Sequence, residues 1–146
     1  MSKSNTFENE LLLHLFNNSD IANIGDAAGL QNSVSAGSLY LVLHTADPGE
    51  AGTATTSEIS YTGYARQAVA RSSAGFTVSG ASVTLTSNVD FPEMTAGAGG
   101  TVTFFSVVKE VSGASTILYS GAVTPDITVA TGVTPRLKST TSITED

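Results

Sequence analysis

The stretch that most constrains this chain is Leu39-Tyr40-Leu41-Val42-Leu43, an unbroken apolar run that leads through His44 into the turn-forming Asp47-Pro48-Gly49-Glu50. The run is too short for a helix that stands alone. It also lacks the alternation of a strand with one wet face, so it predicts a strand buried on both faces and central to a sheet. Pro48 presets φ for the second turn position and Gly49 is free to take positive φ at the third, so the chain is expected to reverse there through a type II or related turn. Thr101–Val111 is the second strongest strand signal. It places Phe104, Ser106 and Val108 on one face and Phe105, Val107 and Val111 on the other, and it too reads as buried on both sides.

Weaker strands surround these two. Tyr64–Arg71 alternates, with Ala65, Gln67, Val69 and Arg71 on one face and Tyr64, Arg66, Ala68 and Ala70 on the other. Phe76–Ser79 and Ser82–Thr86 flank Gly80-Ala81 as a hairpin, and Val89 with Phe91 forms a short strand ended by Pro92. Ser112-Gly113-Ala114-Ser115 turns the chain into Thr116–Gly121, and Ile127–Val129 reads as a last regular strand. Gly132 and Pro135 confine Val133–Leu137 to an edge or an extended segment. Ala51–Thr62 reads as a polar loop without structure of its own, of the kind that serves a function or drapes on a partner.

One helix is expected, over residues 6–16, with Phe7, Leu11, Leu12, Leu15 and Phe16 opposite Glu8 and Asn9. Asn5 or Thr6 caps it, and Asn17-Asn18-Ser19-Asp20 stops it. At roughly three turns it is marginal alone in water, so its stripe must dock on the sheet or on a neighbouring subunit. Ile21–Asn23 predicts a short helical turn, followed by loop to Ala36. The polar tail 139–146 is either disordered or adds as a strand to a neighbour. The fold class is therefore mainly β, a β-sandwich or partly closed barrel of about seven to nine strands with an N-terminal α-helix. By length it is one domain over 1–146, with helix and loop at 1–37, a β domain at 38–138 and the tail at 139–146.

Composition narrows the function. Six basic and thirteen acidic residues give a net charge of −7, which disfavours nucleic acid and anionic membrane as partners. No Lys or Arg lies on the polar face of the helix, against a membrane-surface role. The charged fraction is 13%, whereas Ser and Thr number 39 of 146, which suits hydroxyl-lined strands and short turns. The absence of cysteine removes disulfides, thiolate metal sites and cysteine nucleophiles together. The N-terminus carries no apolar run of signal-peptide or membrane-spanning length, so the protein is expected to be made and kept in the cytoplasm unless it leaves within a larger particle.

Chemistry is scarce. His14 sits beside Leu11 and Leu15, where packing is the expected role. His44, Asp47 and Glu50 can be drawn as metal ligands, yet a second His is missing and a tight Pro-Gly turn intervenes, so no metal or cofactor is expected. Gly25-Asp26-Ala27-Ala28-Gly29 lacks the Lys and the spacing of a phosphate cradle. Asp47, Glu50, Glu58, Asp90 and Glu93 match no calcium loop. No Ser sits in a nucleophile elbow, so no catalytic residue is assigned and an enzyme is not expected. Two of the six cations, Arg66 and Arg71, lie in one weak strand, where they either pair with local or intersubunit carboxylates or are simply solvated. Together with Phe7, Leu11 and Leu15 they form the candidate interaction surface.

Leu39–Gly52 paired with Tyr61–Ser72 resembles a family of small virion proteins of tailed bacteriophages, described as tail fibre or head decoration proteins; the resemblance extends from Phe7 to the C-terminus. It implies a structural virion protein and no catalytic residues. The reading it favours is a decoration or cement protein that binds the capsid exterior as a homotrimer, with the major capsid protein as partner. The alternative is a tail fibre or tail-tip protein, and a carbohydrate-binding module is a third class.

Overall fold

The computed structural model describes residues 2–145. In chain order the elements are α1 (Asn5–Asn17), β1 (Ser38–His44), β2 (Gln67–Ala70), β3 (Phe76–Ser79), β4 (Ser82–Leu85), β5 (Val89–Asp90), β6 (Gly100–Val108), β7 (Ile117–Val129), β8 (Arg136–Leu137) and β9 (Ser142–Thr144). The fold is mainly β with an N-terminal helix, as expected, and no sheet among the described residues closes into a barrel. The chain gathers into two compact units: Met1–Ser38, Val69–Asn88 and Lys138–Asp146 form one, Leu39–Ala68 and Val89–Leu137 the other. The Phe76–Leu85 hairpin, placed by sequence within residues 38–138, and the tail, set apart by sequence as 139–146, both group with the helix.

In the first unit α1 packs on β3 and β4 of a three-stranded antiparallel sheet ordered β3-β4-β9. Ser4, not Asn5 or Thr6, is the N-cap; its Oγ accepts the Phe7 N–H at 3.3 Å. Leu12 and Phe16, four residues apart, are fully buried, and the Phe16 ring meets Phe76 edge-on with centroids 4.9 Å apart. Leu11 and Leu15 lie one row round the helix and are half-buried, while Phe7 is 36% exposed. The described part of the tail is ordered within the chain: β9 lies along β4 with Ile143 opposite Val83. Asp146 lies outside the described residues. In place of the helical turn expected at Ile21–Asn23, Ile21 and Leu30 exchange backbone hydrogen bonds of 3.0 and 2.9 Å, which close a short finger.

In the second unit the sheet order is β2-β1-β6-β7, with the unit boundary falling inside β2. β1 and β6 run antiparallel from Tyr40 opposite Val108 to His44 opposite Phe104. Leu41–His44 and Phe105–Val108 are all buried, so both central strands are covered on both faces as their apolar runs require. β6 ends at Val108, however, and Val111 is 59% exposed in the loop beyond it. β2 is likewise shorter than the alternation suggests, since Tyr64–Arg66 lie outside it.

The pieces read separately as Thr116–Gly121 and Ile127–Val129 are one strand, β7. Between them Val123, Thr124, Pro125 and Asp126 stand opposite Thr103 alone, because Val102 pairs with Ile127 and Phe104 with Ala122. A bulge is where a residue without an N–H is accommodated. The loop 51–62 is also pinned: the Thr45 N–H donates to Ser57 O at 2.8 Å and the Ile59 N–H to Leu43 O at 3.0 Å, with Ala54 and Ile59 buried. Gly49 does take the positive φ its turn position asks for, 67°.

Phe16→Ala should cost about 3–5 kcal/mol in urea unfolding, whereas Phe7→Ala should change stability by no more than about 0.5 kcal/mol. All four tyrosines lie in the second unit and the chain has no Trp. If the chain unfolds as the single domain proposed from its length, Phe16→Ala must lower the tyrosine-fluorescence midpoint as much as the circular-dichroism midpoint; a tyrosine transition left in place would show two independent units.

Candidate functional site

The densest polar constellation is built around a guanidinium. Arg66, only 7% exposed, forks onto one carboxylate: Nε donates to Glu58 Oε1 and Nη2 to Glu58 Oε2, both at 2.8 Å. Its other donors reach backbone, Nη1 to Glu110 O at 3.2 Å and Nη2 to Gly113 O at 2.8 Å. Tyr64, two residues earlier and on the same side of the chain, donates its O–H to Glu58 Oε1 at 3.1 Å and accepts the Leu43 N–H at 3.3 Å. The cluster therefore ties the loop before β2, the loop after β6 and β1 to one ion pair. The hydrogen bond to Glu58 holds Arg66 above its ordinary pKa, and burial pushes the Tyr64 phenol up, which keeps it a donor. Thr55, Glu58, Tyr64, Val111 and Gly113 line an open cleft of about 400 Å³ over this pair.

His44 lies one step along β1 and is fully buried. Its Nδ1 is 2.8 Å from Thr56 O and its Nε2 is 2.7 Å from Ser106 Oγ. A carbonyl can only accept, so Nδ1 carries the proton and Nε2 accepts the Ser106 hydroxyl. Burial pulls the His44 pKa below its ordinary value and keeps the ring neutral. Both nitrogens are thus engaged away from Asp47 and Glu50, and Asp47 Oδ1 instead accepts the Gly49 N–H at 2.9 Å. Among the described residues no three His, Asp or Glu side chains gather as metal ligands. In the Gly25–Gly29 segment, Asp26 Oδ1 accepts the Ala28 and Gly29 N–H groups at 2.9 and 3.1 Å, so a carboxylate already occupies donors a phosphate would need.

The five residues singled out from sequence divide between the two units. Arg66 belongs to the second unit; Phe7, Leu11, Leu15 and Arg71 belong to the first. Arg66 meets a local carboxylate, one of the two possibilities its pattern left open. Arg71 meets carbonyls: Nε donates to Leu15 O at 2.6 Å, Nη2 to His14 O, and Nη1 to Asn18 Oδ1 at 2.6 Å. It caps the C-terminal end of α1, where unpaired carbonyls and the dipole favour a cation. Burial pulls its pKa down. Sequence reasoning did not single out Ser106 as a hydrogen-bond partner or match Glu58 to Arg66. Both carry a signal, since Ser106 is the lone polar residue in Phe104–Val108 and Glu58 the lone charge in 51–62.

A family model described as podophage GP4 fiber I protein gp80 matches residues 2–144. The chain belongs to that family. Among curated proteins none matches it. Membership makes it a structural protein of a phage virion, the class that the resemblance over Leu39–Ser72 implies. In this fiber I family protein no buried side-chain polar atom among the described residues lacks a partner, so its polar interior serves as bracing.

Two outcomes follow from that bracing. Arg66→Ala should cost about 3–5 kcal/mol in denaturant unfolding because it strands Glu58, and Arg66→Lys should recover only part of that, since an ammonium cannot fork. His44 gives a pH dependence. Its folded pKa lies below its ordinary value of 6.5, so the unfolded chain takes the proton first and stability falls as pH drops below about 6.5. Thermal unfolding between pH 7 and 5 should show that fall, and His44→Gln should flatten it.

Proposed function

We propose that this protein is a fibre component of the podophage virion, on the tail side of the particle, and not a head cement. The observation that carries this reading is the match of nearly the whole chain to a family described as fiber I protein. The geometry supports a static part. The charged groups of the cleft are committed to one another, and the two histidines hydrogen-bond to neighbouring backbone or side-chain oxygens. On this reading the protein is not an enzyme and needs no cofactor; its partners are other virion proteins, and nucleic acid and membrane are not among them. A net charge of −7 supports that last point.

The head-decoration reading, with the major capsid protein as partner and a trimer on the lattice, makes the opposite prediction about place and number. Gold-labelled antibody against the chain on intact virions should mark the tail region, and densitometry of purified particles should give few copies relative to the major capsid protein. Label spread over the head, at a copy number that scales with capsid subunits, would overturn the fibre reading and restore the cement.

A further inference from the structure

We propose that the cleft over the Arg66–Glu58 pair is a binding site for a neutral saccharide. This goes beyond the fibre reading and does not depend on where in the particle the chain sits. The cleft belongs wholly to the second unit. Its volume of about 400 Å³ lies within the range of small-molecule sites, about 300–1,000 Å³. The first observation is a donor left over. A guanidinium carries five N–H groups. Four are placed: Nε on Glu58 Oε1, Nη2 on Glu58 Oε2 and on Gly113 O, and Nη1 on Glu110 O. Nη1 keeps one N–H with no acceptor among the described residues, on a side chain that is only 4% exposed and lines the cleft. A donor so withdrawn from water is costly to leave unmet, and an occupant of the cleft is what can meet it.

The second observation is an acceptor beside it. Glu58 Oε1 accepts two hydrogen bonds, from Arg66 Nε and the Tyr64 O–H, but Oε2 accepts only the one from Nη2. A carboxylate oxygen has room for a second. One ion pair thus holds both a free donor and a free acceptor, and a hydroxyl group answers either through a single oxygen. The third observation is charge. Arg66 and Glu58 are the only charged residues lining the cleft, and each already neutralises the other. A charged ligand would therefore lose its hydration without a net attraction to offset it. Around the pair stand the exposed hydroxyls of Thr55, Ser60 and Ser112, together with Val111, which is 59% exposed. A sugar ring carries the same two kinds of surface, hydroxyl edges and a face of C–H groups. A peptide fits less well, because no strand lines the cleft to pair with its backbone.

The test is a titration of the isotope-labelled full-length chain, followed by amide NMR, with glucose, galactose, mannose and N-acetylglucosamine, and with glucuronate and galacturonate as charged counterparts. At least one neutral sugar should shift the Ser60, Val111, Ser112 and Gly113 amides saturably, with a Kd of about 1 mM, and the Arg66 Nε–H signal should move with them. The uronates should bind at least about tenfold more weakly. Val111→Asp and Ser60→Asp should each weaken binding at least about tenfold, because each places an uncompensated charge in the cleft. Circular dichroism and Tm should stay unchanged, since both side chains are exposed. No saturable shift with any of the four sugars, shifts centred away from the cleft, uronates that bind as well, or affinity indifferent to both aspartates overturns the proposal.

Discussion

A guanidinium withdrawn from water has to be met on its charge and on its N–H groups, and the second unit is arranged so that Arg66 is. Glu58 supplies the charge through a two-point fork, and the carbonyls of Glu110 and Gly113 take donors on the other side. These partners sit in two connections, Glu58 before β2 and Glu110 with Gly113 after β6, so satisfying one side chain fixes the course of two loops. Tyr64 links the same carboxylate to the Leu43 N–H of β1, and His44 next to it bonds Thr56 and Ser106. A chain without disulfides thereby holds long polar connections against its central strand.

The β1–β6 pair is the scaffold for that arrangement, and it was the most readable part of the sequence. Short apolar-rich runs have one common explanation in a strand, so Leu39–Leu43 and Phe104–Val108, broken only by Ser106, announced both strands and their burial. The helix was readable by its period, but the period leaves a rotation open. Leu11 with Leu15 and Leu12 with Phe16 are adjacent rows, and only packing against Phe76 decides that the second row is the buried one. β9 was unreadable for a different reason: three residues with one apolar side chain do not rise above the composition of a tail, and their pairing with β4 is a contact across 60 residues or so of chain.

The candidate site was less readable than the fold. Arg66 stood out because cations are few, yet its sequence neighbours do not name its partner, since ion pairs form in space between loops that each look featureless. Arg71 shows the converse. It sits five residues from Arg66 in a similar setting and uses its charge on helix carbonyls, which no charge pattern could indicate. Membership in a phage fiber family gives these features a common sense: a particle protein must keep its shape, and buried polar brackets favour one arrangement of the connections over others.

The most direct test of the bracing is native-state hydrogen exchange at the Thr45, Ala54 and Ile59 amides. Thr45 and Ala54 donate to Ser57 O and Ser115 O, and Ile59 donates to Leu43 O. If the Arg66–Glu58 bracket holds the connections to the sheet, these amides exchange as slowly as those of β1 and β6, and in Arg66→Lys they speed up while β1 and β6 stay protected. Exchange in the wild-type chain as fast as in an ordinary surface loop would contradict the account.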